Sequence, residues 1–199
     1  KLFADQAFDL ADFKVAWPIF NSQLRWLLVG TIPLASFASA EALKWIVQTA
    51  IKKGSQIALD INWRPTFWSD NSLGNEGPNQ YALNEIGPLI ENASLIKLAK
   101  EEALWFFDSS DPEFISKSLT AQPDVVVTDG GEPLKWCIQG SSGEMHPFPL
   151  SSVEDTTGAG DAFMAGLLHQ FLKTSLRSAN DQQIHQMIAF AAACGSLVC

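Results

Sequence analysis

Residues 152–168, SVEDTTGAGDAFMAGLL, join a polar loop to an apolar segment. The first half is rich in threonine, glycine and aspartate, which is typical of a tight turn. The second half continues as an almost entirely apolar run to Phe171, which is typical of a buried helix. The pattern therefore predicts a loop that leads into a buried helix, with the junction between Gly158 and Asp161.

This predicted junction has the features of an anion site. The first N–H groups of a helix have no partner inside the helix, and the small residues Gly158, Ala159 and Gly160 let an anion approach them closely. Asp161 is placed beside that cradle, where a carboxylate can take a proton from an attacking hydroxyl. A helix cap with glycines for close packing is the alternative, and a lone Gly-x-Gly would favour it.

Composition restricts the class of protein. A chain of 199 residues with 47% hydrophobic residues can bury a substantial core as one domain. The net charge of −9 and the lack of a basic cluster argue against a nucleic-acid partner. The sequence has no apolar run of membrane-spanning length, and its three cysteines have no metal-binding spacing. We therefore expect a cytoplasmic protein without a membrane partner.

Apolar runs alternate along the chain with helical patterns. This alternation predicts a mainly parallel sheet covered on both faces, an α/β fold with three layers, α/β/α. The predicted strands lie at 26–30, 57–61, 95–98 and 124–127, followed by a hairpin at 134–138 and 145–148 with a loop at 140–143. The first main helix is predicted between a cap at Ser39 and Gly54, and the others lie near 80–91, 100–107, 158–171 and 182–198.

Polar residues follow two of the predicted strands at their carboxyl ends, where ligands bind in open α/β sheets. Residues 60–65, DINWRP, follow the second strand, and residues 128–131, TDGG, follow the fourth. The planar fork of Arg64 matches phosphate oxygens. From spacing alone, a turn with a surface arginine is an equal alternative.

Four segments carry a family resemblance, in the order 60–65, 97–103, 128–131 and 155–163. Residues 155–163, DTTGAGDAF, resemble the second signature of the ribokinase-like (PfkB) carbohydrate kinases, and no Gly-Lys-Ser/Thr follows as in a Walker A loop. Residues 60–65, followed by Phe67 and Trp68, are similar to the fructokinase and ketodeoxygluconate kinase branch. The resemblance implies a truncated ribokinase-like fold. Residues 1–199 are then one partial kinase domain that lacks the upstream sugar and lid segment and the end of the C-terminal part.

The resemblance also implies roles for the junction residues. Asp161 is expected to be the base that deprotonates a primary sugar hydroxyl. The amides of Gly158, Ala159, Gly160 and Asp161 are expected to hold the γ-phosphoryl group of ATP. In some relatives the residues that match Asp155 and Thr157 hold K⁺, and we extend that role to them as a hypothesis.

Other segments supply the remaining expected contacts. Asn62 and Arg64 are expected to face the phosphates or the sugar, while Thr128, Gly130 and Lys97 are expected to bind the ATP phosphates. The family resemblance implies these contacts.

The resemblance implies that Mg²⁺ bridges the phosphates. Residues 97–103 resemble the Asn-x-x-Glu segment of the family, in which Glu102 would organise Mg²⁺ through water. Ala99 replaces the asparagine, so the motif is incomplete, and a solvated helix charge is the alternative for Glu102.

The expected function is ATP-dependent phosphorylation of a sugar hydroxyl, with fructose converted to fructose 6-phosphate. A kinase of 2-keto-3-deoxygluconate, ribose or a nucleoside is one alternative, and a non-catalytic kinase-like binding protein is another. Ala99 mildly favours the second, whereas the intact Gly158, Gly160 and Asp161 oppose it. Isolated residues 1–199 are expected to be inactive or nearly so. The sugar, the K⁺ dependence and the oligomeric state stay open, with a homodimer of the full-length protein among the expectations.

Overall fold

The structure, a computed structural model, describes residues 9–20, 24–68, 77–149, 153–174 and 176–199. Its strands and helices alternate along most of the chain. The strands are β1 Trp26–Gly30, β2 Gln56–Asp60, β3 Leu95–Ala99, β4 Asp124–Asp129, β5 Glu132–Ile138 and β6 Ser141–Met145. The helices are α1 Leu10–Phe20, α2 Phe37–Lys52, α3 Gln80–Asn92, α4 Lys100–Phe107, α5 Pro112–Ser118, α6 Ala159–Lys173 and α7 Asp181–Ser196.

The described strands form one mixed sheet of six, in the order β1-β2-β3-β4-β5-β6. The first four strands are parallel, and β5 and β6 are added in antiparallel pairings. Parallel neighbours need a crossover connection, and α2, α3, α4 and α5 provide the crossovers. The predicted α/β class with a mainly parallel sheet is confirmed.

Alternation along the strands divides the buried residues between the two faces of the sheet. One face packs against α2 and α3 through residues that include Ile57, Leu59, Ile96, Leu98, Val125 and Val127. The other packs against α6 and α7 through residues that include Ala58, Leu95 and Val126. Because successive side chains of a strand point to opposite faces, these two cores produce the three layers that the sequence predicts.

The hairpin differs from the prediction. Gln139 and Gly140 have φ values of 50° and 77°, so both lie in the left-handed region that a two-residue hairpin turn needs. The turn is therefore shorter than the predicted loop, and β6 begins at Ser141. The predicted strand at 145–148 is wrong, and the strand lies at 141–145 instead. An edge strand tolerates polar residues, and Ser142 and Glu144 are exposed in this one.

None of the helices in the described ranges has the length and apolar character needed to cross a bilayer.

Candidate functional site

The start of α6 has the geometry predicted for the junction. Gly158 caps the helix with φ of 85°, a left-handed conformation that glycine adopts without steric cost. The first N–H to enter the helical hydrogen-bond ladder is that of Ala162, which donates to the carbonyl of Gly158 at 2.9 Å. The helix begins at Ala159, within the predicted junction.

The N–H groups before Ala162 are not equivalent. The N–H of Ala159 donates to the carbonyl oxygen of Thr156 at 3.1 Å, so it is already used inside the loop. In the described part of the chain, the N–H groups of Gly158, Gly160 and Asp161 have no such acceptor. The donors available to an anion at this helix end are therefore these three, one fewer than the four expected from sequence.

Lys97 brings a positive charge to the same place. Its side chain is buried near the end of β3, and Nζ lies 3.1 Å and 3.2 Å from the two carboxylate oxygens of Asp60 on β2. A Cβ added at Gly160 would lie 2.9 Å from Lys97 Nζ and 3.8 Å from Asp60 Oδ2. The ammonium therefore touches the first turn of α6, and a side chain at position 160 would have to displace it.

Asp161 lies one residue further along the helix and is exposed. The pKa of Asp60 is raised, mainly by burial. The negative charge of Asp161 also raises this pKa, whereas the charge and hydrogen bond of Lys97 and the charge of Arg64 lower it. The carboxylate of Asp161 is therefore close enough to act on Asp60 across the carboxyl edge of the sheet. It faces solvent, whereas Lys97 and Gly160 line a cavity.

That cavity has a volume of about 840 Å³ and lies between the carboxyl ends of β3 and β4, the start of α6 and the end of α7. Thr128 and Gly130 line it, as expected for residues that contact a nucleotide. The hydroxyl of Thr128 is 3.4 Å from the carbonyl of Leu98, and Gly130 has φ of 55°. Other lining residues come from the 146–149 segment and the C-terminal end: His146, Pro147, Phe148, Pro149, Ser196 and Cys199.

Glu102 is a buried clamp and not the solvated helix charge that was its alternative. Its Oε1 accepts a hydrogen bond of 2.6 Å from the N–H of Trp63, and its Oε2 accepts one of 2.7 Å from the N–H of Ala99. A full capping box needs a second hydrogen bond, from the N–H of Glu102 to the side chain of residue 99. The side chain of Ala99 has no acceptor, so only half of a capping box is formed. The carboxylate thereby ties the loop after β2 to the start of α4.

Replacing Glu102 by alanine is expected to destabilise the fold. Two buried N–H donors would lose their acceptor, at about 1–3 kcal/mol for each donor. We expect the free energy of unfolding in urea to fall by at least about 2 kcal/mol. Glu101→Ala is the matched control, because Glu101 is exposed in the same first turn of α4. Equal stability of the two variants would contradict the clamp.

The stability that Glu102 contributes should depend on pH, and the direction follows from its pKa. Burial raises the pKa of Glu102 above its ordinary 4.5, partly offset by the N–H donors of Ala99 and Trp63 and by Lys97. The folded protein therefore holds this proton more tightly than the unfolded chain. The stability of the wild type relative to Glu102→Ala should be greatest below pH 4.5 and should fall as pH rises through the raised pKa.

Asn62 and Arg64 lie on the loop that Glu102 anchors. Asn62 has φ of 46°, a left-handed conformation that asparagine tolerates better than most residues. Arg64 is exposed, and its Nη1 donates to the carbonyl of Trp63 at 3.0 Å. The Arg64 charge acts on the pKa of Asp60, so the guanidinium lies near the same sheet edge.

Asp155 and Thr157 shape the loop before α6. The N–H of Thr157 donates to Asp155 Oδ1 at 2.8 Å, and this hydrogen bond lowers the pKa of Asp155. Both residues are exposed.

Sequence reasoning missed two features of the site. It did not identify Asp60 as the partner of Lys97, although both residues stand at the ends of neighbouring predicted strands. It also gave no role to the 146–149 segment, which forms one wall of the cavity. The Asp60–Lys97 pair could have been suspected from the sequence, because each residue is a charged residue in an otherwise apolar strand.

Comparisons with known proteins identify the family and the fold. The family described as pfkB family carbohydrate kinase matches residues 6–199. The fructokinase of Vibrio alginolyticus is 30% identical over 195 residues, which cover 95% of this chain and 56% of that protein. The 2-dehydro-3-deoxygluconokinase of Haemophilus influenzae is 33% identical over 124 residues, which cover 61% of this chain and 38% of that protein.

A solved structure shares the fold over the whole chain. It is a fructokinase double mutant from Vibrio cholerae O395 in a form with fructose, ADP and a potassium ion bound. The TM-score is 0.78 at 25% identity, and the match covers 100% of this chain and 60% of the other. The chain thus spans somewhat more than half the length of the two fructokinases.

Proposed function

The chain belongs to the pfkB family of carbohydrate kinases, and we propose that it is the nucleotide-binding and catalytic part of an ATP-dependent sugar kinase. Residues 1–199 form a single partial kinase domain in this proposal. One observation carries it. The buried ammonium of Lys97 touches Gly160 at the first turn of α6, and both residues line one large cavity at the carboxyl edge of the sheet.

The phosphate chain of ATP fits the donors found there. The N–H groups of Gly158, Gly160 and Asp161 and the Lys97 ammonium would hold the γ-phosphoryl group as charge develops on its oxygens. Gly158 and Ala159 shape this turn, with Ala159 committed to Thr156. The cavity volume of about 840 Å³ lies within the usual range for a small-molecule site.

The reacting hydroxyl is assigned to the exposed side of this turn. Asp161 would take the proton of the sugar hydroxyl as that oxygen attacks the γ-phosphorus. Its exposed carboxylate is accessible to an acceptor that approaches from solvent. Asn62 and Arg64, on the neighbouring loop, would contact the phosphates or the sugar.

The nucleotide loop and the metal ions complete the proposal. Thr128 and Gly130 would contact the ATP phosphates from the cavity wall. Mg²⁺ supplies charge neutralisation at the phosphates. Glu102 would act on its water shell, since two of the roughly four lone-pair positions of the carboxylate remain beyond the two N–H donors. Asp155 and Thr157 remain the proposed K⁺ residues.

We propose fructose as the acceptor. Relatives named fructokinase support this choice, and the similarity to a 2-dehydro-3-deoxygluconokinase makes that keto acid the second candidate. A cytoplasmic location and a homodimer of the complete protein are also part of the proposal; the three cysteines, free in the structure, support the former.

The test is a substrate panel with the complete gene product and MgATP. Fructose, 2-keto-3-deoxygluconate, ribose and a nucleoside would be compared by kcat/KM in an assay of ADP release. We expect fructose to give the highest value. Preference for another acceptor would redirect the substrate assignment, and nucleotide binding without turnover of any of them would favour the non-catalytic alternative.

A further inference from the structure

Asp60 and Lys97 are direct neighbours in the sheet. The parallel pairing of β2 with β3 places Asp60 opposite Lys97. Ala58 and Leu95, two residues earlier on each strand, belong to the core under α6 and α7. Because side chains two apart share a face, Asp60 and Lys97 both point towards α6. Their ion pair is therefore formed on the face that carries the anion site.

Burial makes this pair costly to maintain. The exposed fraction is 6% for Asp60 and 9% for Lys97. Removing two charges from water costs about as much as their attraction returns, so a buried ion pair gives little net stability. What the pair does provide is a fixed position for the end of a long flexible side chain.

That fixed position is at the anion site. A Cβ at position 160 would lie 2.9 Å from Lys97 Nζ, and Asp60 Oδ2 stands beside the ammonium, at 3.8 Å from the same point. The carboxylate therefore fixes the ammonium at the first turn of α6, and Lys97 itself lines the cavity.

Resting on the proposed function, we propose that Asp60 is a positioning residue for phosphoryl transfer. It holds the Lys97 ammonium against the first turn of α6, so that the terminal phosphates of ATP meet a cation that is already in place. Asp60 acts through Lys97 and needs no contact with the nucleotide. A lysine fixed in advance loses less rotamer entropy when the phosphate binds.

Other charges around Lys97 make Asp60 necessary for holding the ammonium at the first turn of α6. Glu102 on α4, Asp161 on α6 and Arg64 on the loop after β2 all act electrostatically on the pair or on its members. Without Asp60, the ammonium would keep the attraction of Glu102, whose carboxylate already accepts two N–H bonds, and would lose the partner that fixes its position.

The test is a double-mutant cycle in the complete gene product, with Asp60→Asn, Lys97→Met and the double variant. The readouts are the dissociation constants of ATP and AMP with Mg²⁺, and kcat/KM for ATP with fructose. Asp60→Asn and Lys97→Met should each weaken ATP binding by about tenfold, as expected for loss of a charged hydrogen bond. AMP binding should change by less than about threefold, since AMP lacks the terminal phosphates.

The decisive comparison is between Lys97→Met and the double variant. The double variant replaces the buried pair by neutral groups, a change that often preserves folding. If Asp60 acts through Lys97, adding Asp60→Asn to Lys97→Met should change ATP binding and kcat/KM by less than about threefold.

A larger further loss, or equal weakening of ATP and AMP, would overturn the proposal and assign Asp60 a direct or purely structural role. Failure of the double variant to fold, when Lys97→Met folds, would do the same. Failure of the proposed function is a separate result, because it would appear as a wild type that phosphorylates none of the sugars.

Discussion

Asp161→Asn is expected to lower kcat by roughly 10²–10⁴-fold, the range that a positioned general base contributes. Asparagine keeps the size of the side chain and the turn of α6, but it cannot accept the hydroxyl proton. ATP affinity should change little, because the phosphates are assigned to the Gly158, Gly160 and Asp161 amides and to Lys97. The measurement is steady-state kinetics of the complete gene product with MgATP and fructose.

Asp181→Asn is the matched control. Asp181 is an exposed aspartate in the first turn of α7, so this change also removes a negative charge from a helix N-terminus. We expect kcat of this control to stay within about twofold of the wild type, since such exposed charges have only small effects. An Asp161→Asn enzyme that keeps more than a third of wild-type kcat would exclude Asp161 as the base.

Gly160→Ala is expected to give the second large effect. The new methyl group would meet Lys97 Nζ at 2.9 Å and would push the ammonium away from the anion site. It would also stand where the phosphoryl group must approach the N–H groups. Loss of one oxyanion donor costs about 10²–10³-fold in kcat, and we expect kcat/KM for ATP to fall by a similar factor.

Gly87→Ala controls for the substitution itself. Gly87 lies inside α3, and a Cβ there meets no atom within 4 Å. Alanine has the higher helix propensity, but Pro88 follows and disfavours a Cβ at this helical position, so the measured stability of this control sets the scale for the Gly160→Ala comparison. Folding of both variants would be followed by urea unfolding. Gly160→Ala with near wild-type kcat/KM would show that the first turn of α6 does not contact the transferred group.

Much of the site follows from strand patterning. The predicted strands ended close to Asp60, Lys97 and Thr128, and ligands bind at the carboxyl ends of parallel strands. Alternation then places these three residues on the face towards α6, since Ala58, Leu95 and Val126 are buried there. The loop-to-helix junction was likewise readable, because glycine and threonine change to an apolar run at one point.

The side-chain contacts could not be predicted in the same way. The Asp60–Lys97 bond depends on the register of β2 against β3, and the sequence gives strand order and register only indirectly. The resemblance selected Glu102 and left a solvated helix charge as the alternative, and only the structure shows that helix position exposes Glu101 and buries Glu102. The cavity wall at 146–149 depends on where β6 ends, and the prediction extended that strand three residues too far, to 148 instead of 145.

The most direct test of the central claim is the ratio of AMP to ATP dissociation constants, measured for the complete gene product and for Gly160→Ala. The claim is that the first turn of α6, with Lys97 beside it, holds the terminal phosphate. We expect the wild type to bind ATP at least about tenfold more tightly than AMP, as for a charged hydrogen bond. Gly160→Ala should bring this ratio close to unity, and an unchanged ratio in the variant would contradict the account.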